Sequence, residues 1–401
     1  MKEKYKRLLY VCDYPPSIAA GAPVIARQLL LDYPSDALTV LCGANWHVGA
    51  AEVVRGSFLP CRHIWIPSFQ SWRPRPRRIS SRLMVFLDFF RVRRIVAAGR
   101  RICVEQKIEA IFAPLYSYEF GMAASKLASA FGIELFLFET DDWAEASRSE
   151  FLLYWAIRRA HLRVLESAAH CWFTSPAMVR ERWSRFGIRG EFLFNYVNMD
   201  RYLQAKPSLK VSRTAWNFVY TGSINQMSAD TMQTFCGVIN RGVVVDGLPV
   251  VVTIYTNSSL AGMLGNFVHH GGYVSSEQLP RILMDADASF LCLSFSQRPK
   301  ILRMVQTSLY TKTIDYLAAG RPVLIISPEY TAEASYFSDV TQIVNTSIEH
   351  EIIRAIERVC RGGEEVAAAV RRGMALVSQY HSRGALMALH KKYFIASENE
   401  P

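Results

Sequence analysis

Between Ser308 and Pro328 the chain reads SLYTKTIDYLAAGRPVLIISP. Thr311 to Ala319 carries the pattern of a short helix, Gly320 closes it, and the apolar run that follows at once has the character of a buried strand. Free amides at the start of such a helix, flanked by the hydroxyls of Ser308, Tyr310 and Thr311 and by the charge of Lys312, make a seat for a phosphate. Asp315 stands one turn further on, where a carboxylate accepts from ribose hydroxyls. The same residues also fit an ordinary capped helix with a surface lysine.

Working outward, short runs rich in Val, Ile, Leu and Phe alternate with longer mixed segments, the pattern of parallel strands covered by helices on both faces. LLYVCDY, ALTVLCG, HIWIPS, EAIFAPLY, ELFLFET, HCWFTS and GEFLFNYV are the strands of a first series. Polar residues 200–216, with Pro207 among them, suit a linker. NFVYTGS, PVVVTIYT, NFVHHGGYV, ASFLCLSF, RPVLIISP and TQIVNTS form a second series, and from about Glu349 the chain reads as helix. The expectation is two doubly wound domains, residues 1–205 and 206–401, with the ligand cleft between them at the carboxyl ends of the strands.

Composition agrees with this organisation. A chain of 401 residues exceeds what one compact core usually holds, and 50% apolar with 20% charged residues excludes wholesale disorder. The eight cysteines are scattered without C-x-x-C spacing, several inside apolar runs, so buried free thiols are expected rather than disulfides or zinc ligands. The apolar run Leu8–Cys12 is too short for a signal peptide, and Leu83–Phe90, which contains Asp88 and ends at Arg91, is too short to span a bilayer. A cytoplasmic chain is expected. The net charge of +11 favours an anionic partner.

The ordered set of landmarks resembles the retaining glycosyltransferases of the two-domain GT-B fold, family-four type. DYLAAGRPVL is similar to that family's stretch of acidic residue, short helix and strand, and Lys312 matches a serine-lysine or threonine-lysine variant common in bacterial surface-polysaccharide members. GGYVSSEQLPRILMDADASFLCLSF resembles the segment upstream, and FTSPAMVRERWSRFG with FLFNYVNMDRY resembles the end of the first domain. The resemblance implies two Rossmann-like domains facing a cleft. It implies transfer, with retention, of a sugar from a nucleotide-diphosphate donor to a hydroxyl of a surface glycan acceptor carried on a lipid. No further cofactor and no metal are implied. The second domain would hold the donor through Gly222, Ser223, Asn225, Tyr273, Val274, Ser308, Tyr310, Thr311, Lys312 and Asp315.

The chain also departs from the family. Counting back eight positions from Asp315 lands on Thr307, where the first of the family's paired glutamates is expected. YTGSINQMSAD lacks the arginine and lysine that often follow the first strand of the second domain, so Lys312, with Arg298, Lys300 or Arg303, must supply the charge. A sugar-nucleotide 2-epimerase, which shares the fold, and a degenerate subunit that scaffolds an active partner are the rival readings.

In the first domain, Gly21 is what remains of the family's glycine-rich loop and is assigned to donor binding, although a plain strand-to-helix turn also contains such a glycine. FETDDWAEA places Glu139 and Asp141, with Asp142 and Trp143, at the carboxyl edge of the fifth strand. There a carboxylate can steady an oxocarbenium-like transition state or orient the acceptor, and Glu139 and Asp141 are the catalytic candidates. Capping of the next helix by Asp141 or Asp142 is the alternative. Asp285-Ala-Asp287 and the adjacent His269 and His270 are not expected to bind metal.

Charge is unevenly distributed: ten arginines against the one acid Asp88 lie between Arg73 and Arg101, +9 of the +11. This segment, with Arg77, Arg78, Arg82, Arg93 and Arg94 at its centre, is expected to contact an anionic membrane at the inner face of the plasma membrane, delivering the lipid-linked acceptor. A helix with a solvated arginine face is the plainer alternative. Nucleic acid is not an expected partner, since no aromatic residues are set for base stacking.

Overall fold

The structure is a computed structural model and describes residues 4–18, 21–44, 52–67, 81–140, 151–205 and 213–396. The chain divides into two compact units, Met1–Asn195 with Met387–Pro401, and Tyr196–Leu386.

The first unit is built on seven strands: β1 (Leu8–Cys12), β2 (Leu38–Gly43), β3 (Arg62–Ile66), β4 (Ala110–Pro114), β5 (Glu134–Glu139), β6 (His170–Phe173) and β7 (Glu191–Phe192). They pair in the order β3-β2-β1-β4-β5-β6-β7, every pair parallel. The sequence dictates this. All five residues of β1 and all of β2 and β4 are buried, which is only possible when helices cover both faces of the strand. Ile95, Ile102, Phe120, Leu127 and Val164 come from three of those helices, Ser81–Gln106, Tyr118–Phe131 and Phe151–Glu166, and join Leu9, Val11, Ile111 and Leu137 of the sheet in one core.

The second unit repeats the plan with β8 (Trp216–Thr221), β9 (Val244–Val245), β10 (Leu248–Tyr255), β11 (Val268–Gly272), β12 (Ala288–Cys292), β13 (Val323–Ile326) and β14 (Gln342–Val344). Six strands run parallel in the order β11-β10-β8-β12-β13-β14. The expected strands are all present in both series. What the expectation lacked is β9, which turns back on β10 through Asp246 and Gly247, both at positive φ (50° and 80°), the signature of a two-residue hairpin turn.

Strand order reverses between β1 and β4 in the first sheet and between β8 and β12 in the second. Those two switch points, at the carboxyl ends, are where an open parallel sheet leaves a crevice for ligand.

Two boundaries differ from the expectation of 1–205 and 206–401. The supposed linker begins with a helix, Met199–Gln204, whose N-cap Asn198 accepts from Asp200 N and whose Tyr202 is buried. The end of the chain returns to the first unit because its aromatic residues complete that core. Phe394 is fully buried, with ring centroids 5.4 Å from Phe136, 5.8 Å from Tyr33 and 6.0 Å from Trp172. Its carbonyl accepts from Lys6 N (2.9 Å), and Ala396 N donates to Lys4 O (2.8 Å). Phe394→Ala is therefore expected to destabilise the first unit by about 3–5 kcal/mol, the cost of a large buried cavity. A lowered first transition in thermal or urea unfolding checks this; an unchanged profile would return residues 387–396 to a dispensable tail.

Candidate functional site

The site is built at the carboxyl end of β8. Gly222 follows the strand at φ +112°, with its amide donating to Tyr255 O (2.8 Å). The Lys312 side chain is pressed against it, with its Cε 2.0 Å from where a Cβ would stand, and the φ of +112° is what favours glycine. Lys312 Nζ donates to Tyr220 Oη (2.9 Å) and Ser223 O (3.2 Å), and the Tyr220 hydroxyl donates to Ser223 O (2.7 Å). The ammonium lies 4.7 Å from the Tyr220 ring centroid and 5.3 Å from that of Tyr310. Burial pushes the Lys312 pKa down to about 7, against the opposing pull of Glu333. Gly222, Ser223, Tyr310 and Lys312 are thus brought together.

Neighbouring contacts fix this geometry. Tyr316, fully buried, accepts the Thr221 amide at its hydroxyl (2.9 Å), tying the end of β8 to the helix Lys312–Ala318. Met227 N donates to Asn225 Oδ1 (2.9 Å), so the Asn225 side chain shapes the turn into the helix Ala229–Asn240. Ser308 is buried at the end of the helix Pro299–Thr307, and Thr311 is half-buried. Tyr273, 67% exposed, and Val274 follow β11, two strands and so about 10 Å from β8 in the sheet.

Two expectations fail in this unit. Asp315 is not simply open to a ribose: its Oδ1 accepts from Tyr202 Oη (2.7 Å), and burial lifts its pKa to about 6. The amides before the Lys312 helix are not all free, since Tyr310 N donates to Glu333 Oε2 (3.0 Å) and the Thr313 hydroxyl donates to Oε1. Glu333, fully buried in the first turn of the helix Ala332–Phe337, has its pKa raised to about 7 by burial. Sequence reasoning missed it because an acid in the first turn after Thr331 looks like any helix start. Thr307, where the glutamate was expected, is buried and donates to Arg303 O (2.9 Å).

In the first unit, Gly21 begins the helix Ala22–Leu30 at φ +53°, exposed, with nothing within 4 Å of where a Cβ would stand. Glu139 is corrected as a catalytic candidate. It is fully buried, with both oxygens held by Arg182 (2.9 and 2.7 Å) and one by His161 (3.0 Å). Burial acts to raise its pKa, but Arg182 and then His161 hold it at about 2. Its carboxylate anchors a core ion network and has no face left for substrate. Asp141, Asp142 and Trp143 lie outside the described residues, as do Arg77, Arg78 and the side chain of Arg82. Arg93 and Arg94 are exposed on the Ser81–Gln106 helix, whereas Arg91 turns inward to Asp13 (2.6 Å) and Glu119 (3.0 Å).

Asp285 lies 3.7 Å from Arg281. Asp287 accepts from Arg213 (3.0 Å) and from Asn217 N (2.8 Å), fastening the start of β8. His269 and His270 are both exposed, and His270 bonds Thr256 O (2.9 Å). Among the described residues no three His, Cys, Asp or Glu side chains are grouped to hold a metal, and no helix is long and apolar enough to cross a membrane.

No protein-family model and no curated protein matches the sequence. Solved structures do match. Alr3699/HepE from Anabaena in complex with UDP superposes with a TM-score of 0.66 at 11% identity over 96% of this chain and 98% of that one. The same protein is also known with UDP and glucose and with UDP-glucose. Sucrose-phosphate synthase from Thermosynechococcus elongatus gives 0.67 at 13% identity over 96% and 97%. The UDP-forming α,α-trehalose-phosphate synthase from Burkholderia xenovorans, in complex with glucose-6-phosphate, gives 0.67 at 10% identity over 96% and 99%. The chain therefore has the GT-B fold of these glycosyltransferases.

A folded-state pKa of about 7 for Glu333 lies above its ordinary value of 4.5, so the native state binds the proton more tightly and stability falls as pH rises from about 4.5 to 7. Glu333→Gln, which mimics the protonated acid, is expected to lose that part of the slope. Urea unfolding at the two ends of this range measures it; identical slopes in the two proteins would remove the buried-acid assignment.

Proposed function

We propose that the protein is a glycosyltransferase that moves a sugar from a nucleotide-diphosphate donor to a hydroxyl of a lipid-linked surface glycan, with retention of anomeric configuration. The observation that carries this is Lys312 held against Gly222 beside Ser223, at the carboxyl end of β8 where the second sheet has its switch point. The UDP and UDP-glucose complexes of Alr3699/HepE support a nucleotide-sugar donor and make UDP the first to try.

In this reading the bond between the anomeric carbon and the diphosphate oxygen breaks, and the acceptor oxygen takes its place as the hydroxyl gives up its proton to the departing diphosphate. Negative charge builds on the departing diphosphate. Protonated Lys312, already positioned by Tyr220 and Ser223, stabilises that charge without rearrangement. Within the second unit Gly222 gives backbone access, Tyr273 and Val274 border the base, and Ser308 and Thr311 lie beside the phosphates; Gly21 is the donor-binding candidate of the first unit. Asp315 meets the ribose through whatever Tyr202 leaves of its carboxylate. Asp141 remains the catalytic candidate of the first unit. The acceptor's lipid and the arginine-rich segment from Arg73 to Arg101 belong together at the anionic inner face of the plasma membrane.

A second reading, a subunit that binds nucleotide and scaffolds an active partner, is favoured by Thr307, which puts a buried hydroxyl where the donor-sugar glutamate is expected. Turnover decides between them: nucleotide binding without sugar transfer across a donor panel, with lipid-linked acceptors supplied, selects the scaffold. Release of a free epimerised sugar nucleotide without acceptor would instead indicate a 2-epimerase.

Lys312→Ala is expected to weaken UDP or GDP binding by roughly 10- to 150-fold, the worth of a charge-assisted hydrogen bond of about 1.5–3 kcal/mol. Calorimetry measures this, and unchanged affinity sinks the assignment. Because Lys312 titrates at about 7, diphosphate binding should take up a proton and weaken as pH rises through that value. Lys312→Arg, permanently charged, should flatten the dependence. A wild-type affinity independent of pH between 6 and 9 would mean that Lys312 does not meet the phosphates.

A further inference from the structure

The Phe151–Glu166 helix and the helix Pro176–Phe186 meet through Arg158, whose guanidinium lies 5.6 Å from the Trp155 ring and 5.3 Å from the Phe186 ring. Two tryptophans stand out from this pair, Trp155 at 63% exposure and Trp183 at 51%. Each has an arginine over its ring, Arg158 for the first and Arg189, at 5.1 Å, for the second, while Arg185 lies 5.0 Å from Phe186. From Phe151 to Gly190 there are seven arginines and two glutamates, and one of those, Glu181, is already held by Arg182 and Arg185. Large apolar rings left in water beside a one-signed excess of charge are not explained by folding the first unit.

The patch continues across the same layer of helices. The Tyr118–Phe131 helix packs against the Phe151–Glu166 helix on one side and the Ser81–Gln106 helix on the other. Between the first and the last of these runs a groove of about 640 Å³ whose lining, among the described residues, includes Arg93, Arg100 and Lys126 and no acid.

We propose that this helical layer is a membrane-docking face, in which Trp155 and Trp183 enter the interface of an anionic bilayer and the flanking cations, Arg185, Arg189, Arg100 and Lys126, meet headgroup phosphates. Tryptophan suits the interfacial zone because its ring is apolar and its N–H is polar. Arginine keeps its charge at the headgroups while its stem follows the rings inward. The excess of positive charge along the layer selects an anionic lipid surface over a protein partner, whose face would have to carry a matching run of acids. The inference rests on the membrane contact of the proposed function and relocates its apolar part, from the arginine-rich segment before and within the Ser81–Gln106 helix to the tryptophan pair.

The test uses the full-length protein with phosphatidylcholine vesicles prepared with and without phosphatidylglycerol. Wild type should sediment only with the anionic vesicles, less so as salt is raised, and brominated acyl chains should quench its tryptophan fluorescence. The double variant Trp155→Ser/Trp183→Ser, with its melting temperature retained because both rings are exposed, should partition roughly tenfold more weakly and lose the quenching. Wild type that ignores anionic vesicles overturns the membrane contact altogether. Wild type and double variant that bind and quench alike leave a membrane contact in place but remove it from this face. A wild-type dimer in size-exclusion chromatography that the double variant dissolves would give the face to a second copy of the chain and also overturn the proposal.

Discussion

A parallel sheet buried on both faces has nowhere but its ends to meet solvent, and both units of this protein follow from that constraint. The central strands β1, β4, β8 and β12 carry apolar residues on successive positions, so helices must cover both sides, and each crossover returns the chain to the same end of the sheet. Polar and conformationally special residues then collect at the carboxyl ends because no other part of the sheet tolerates them. Gly21 follows β1, and Gly222 and Ser223 follow β8. The site is the place where the strand pattern runs out.

The electrostatics of the second unit depend on how one cation is held. Lys312 is pinned by Tyr220, Ser223 and the bare backbone of Gly222, so its position is fixed more firmly than its charge. With Lys312 and Glu333 both titrating at about 7, the unliganded site need not hold a full buried charge of either sign. In the proposed reading an arriving phosphate would supply the field that protonates the lysine, and the cost of desolvating a permanent cation would be avoided. An arginine in this position would bind the anion but would have to be kept charged in its absence.

Almost all of the fold was legible in the sequence, because it depends on runs of apolar residues that report burial directly. Thirteen of the fourteen strands among the described residues stand where such runs occur, and the missing one, β9, is a two-residue piece signalled only by Asp246-Gly247. The site was legible in part. Lys312 and Gly222 declare themselves through local pattern, but Glu333 and Tyr202 reach the same helix from 21 positions after Lys312 and 113 before Asp315, and no periodicity links such distant residues. The Glu139 assignment failed for a related reason. A carboxylate at the end of a strand looks the same whether it faces substrate or an arginine 43 positions later, and only packing shows that Arg182 claims it. The return of residues 387–396 to the first unit was likewise hidden, since Phe394 is an ordinary aromatic until its neighbours are known.

The arginines illustrate why net charge alone is a weak guide to partners. Arg91 and Arg182 belong to basic stretches but point inward and neutralise buried carboxylates, so they contribute to the count of +11 and nothing to the surface field. Arg158 and Arg189 lie over aromatic rings, which keeps their guanidinium groups at the surface and leaves Trp155 and Trp183 exposed beside them. Exposed cations also stand on the helical layer of the first sheet, at Arg93, Arg94, Arg100 and Lys126. A layer covers a face of the sheet, whereas ligand loops rise from its carboxyl edge. Docking through that face, as proposed, would leave the carboxyl edge at Gly21 uncovered and open to the acceptor of the proposed reaction.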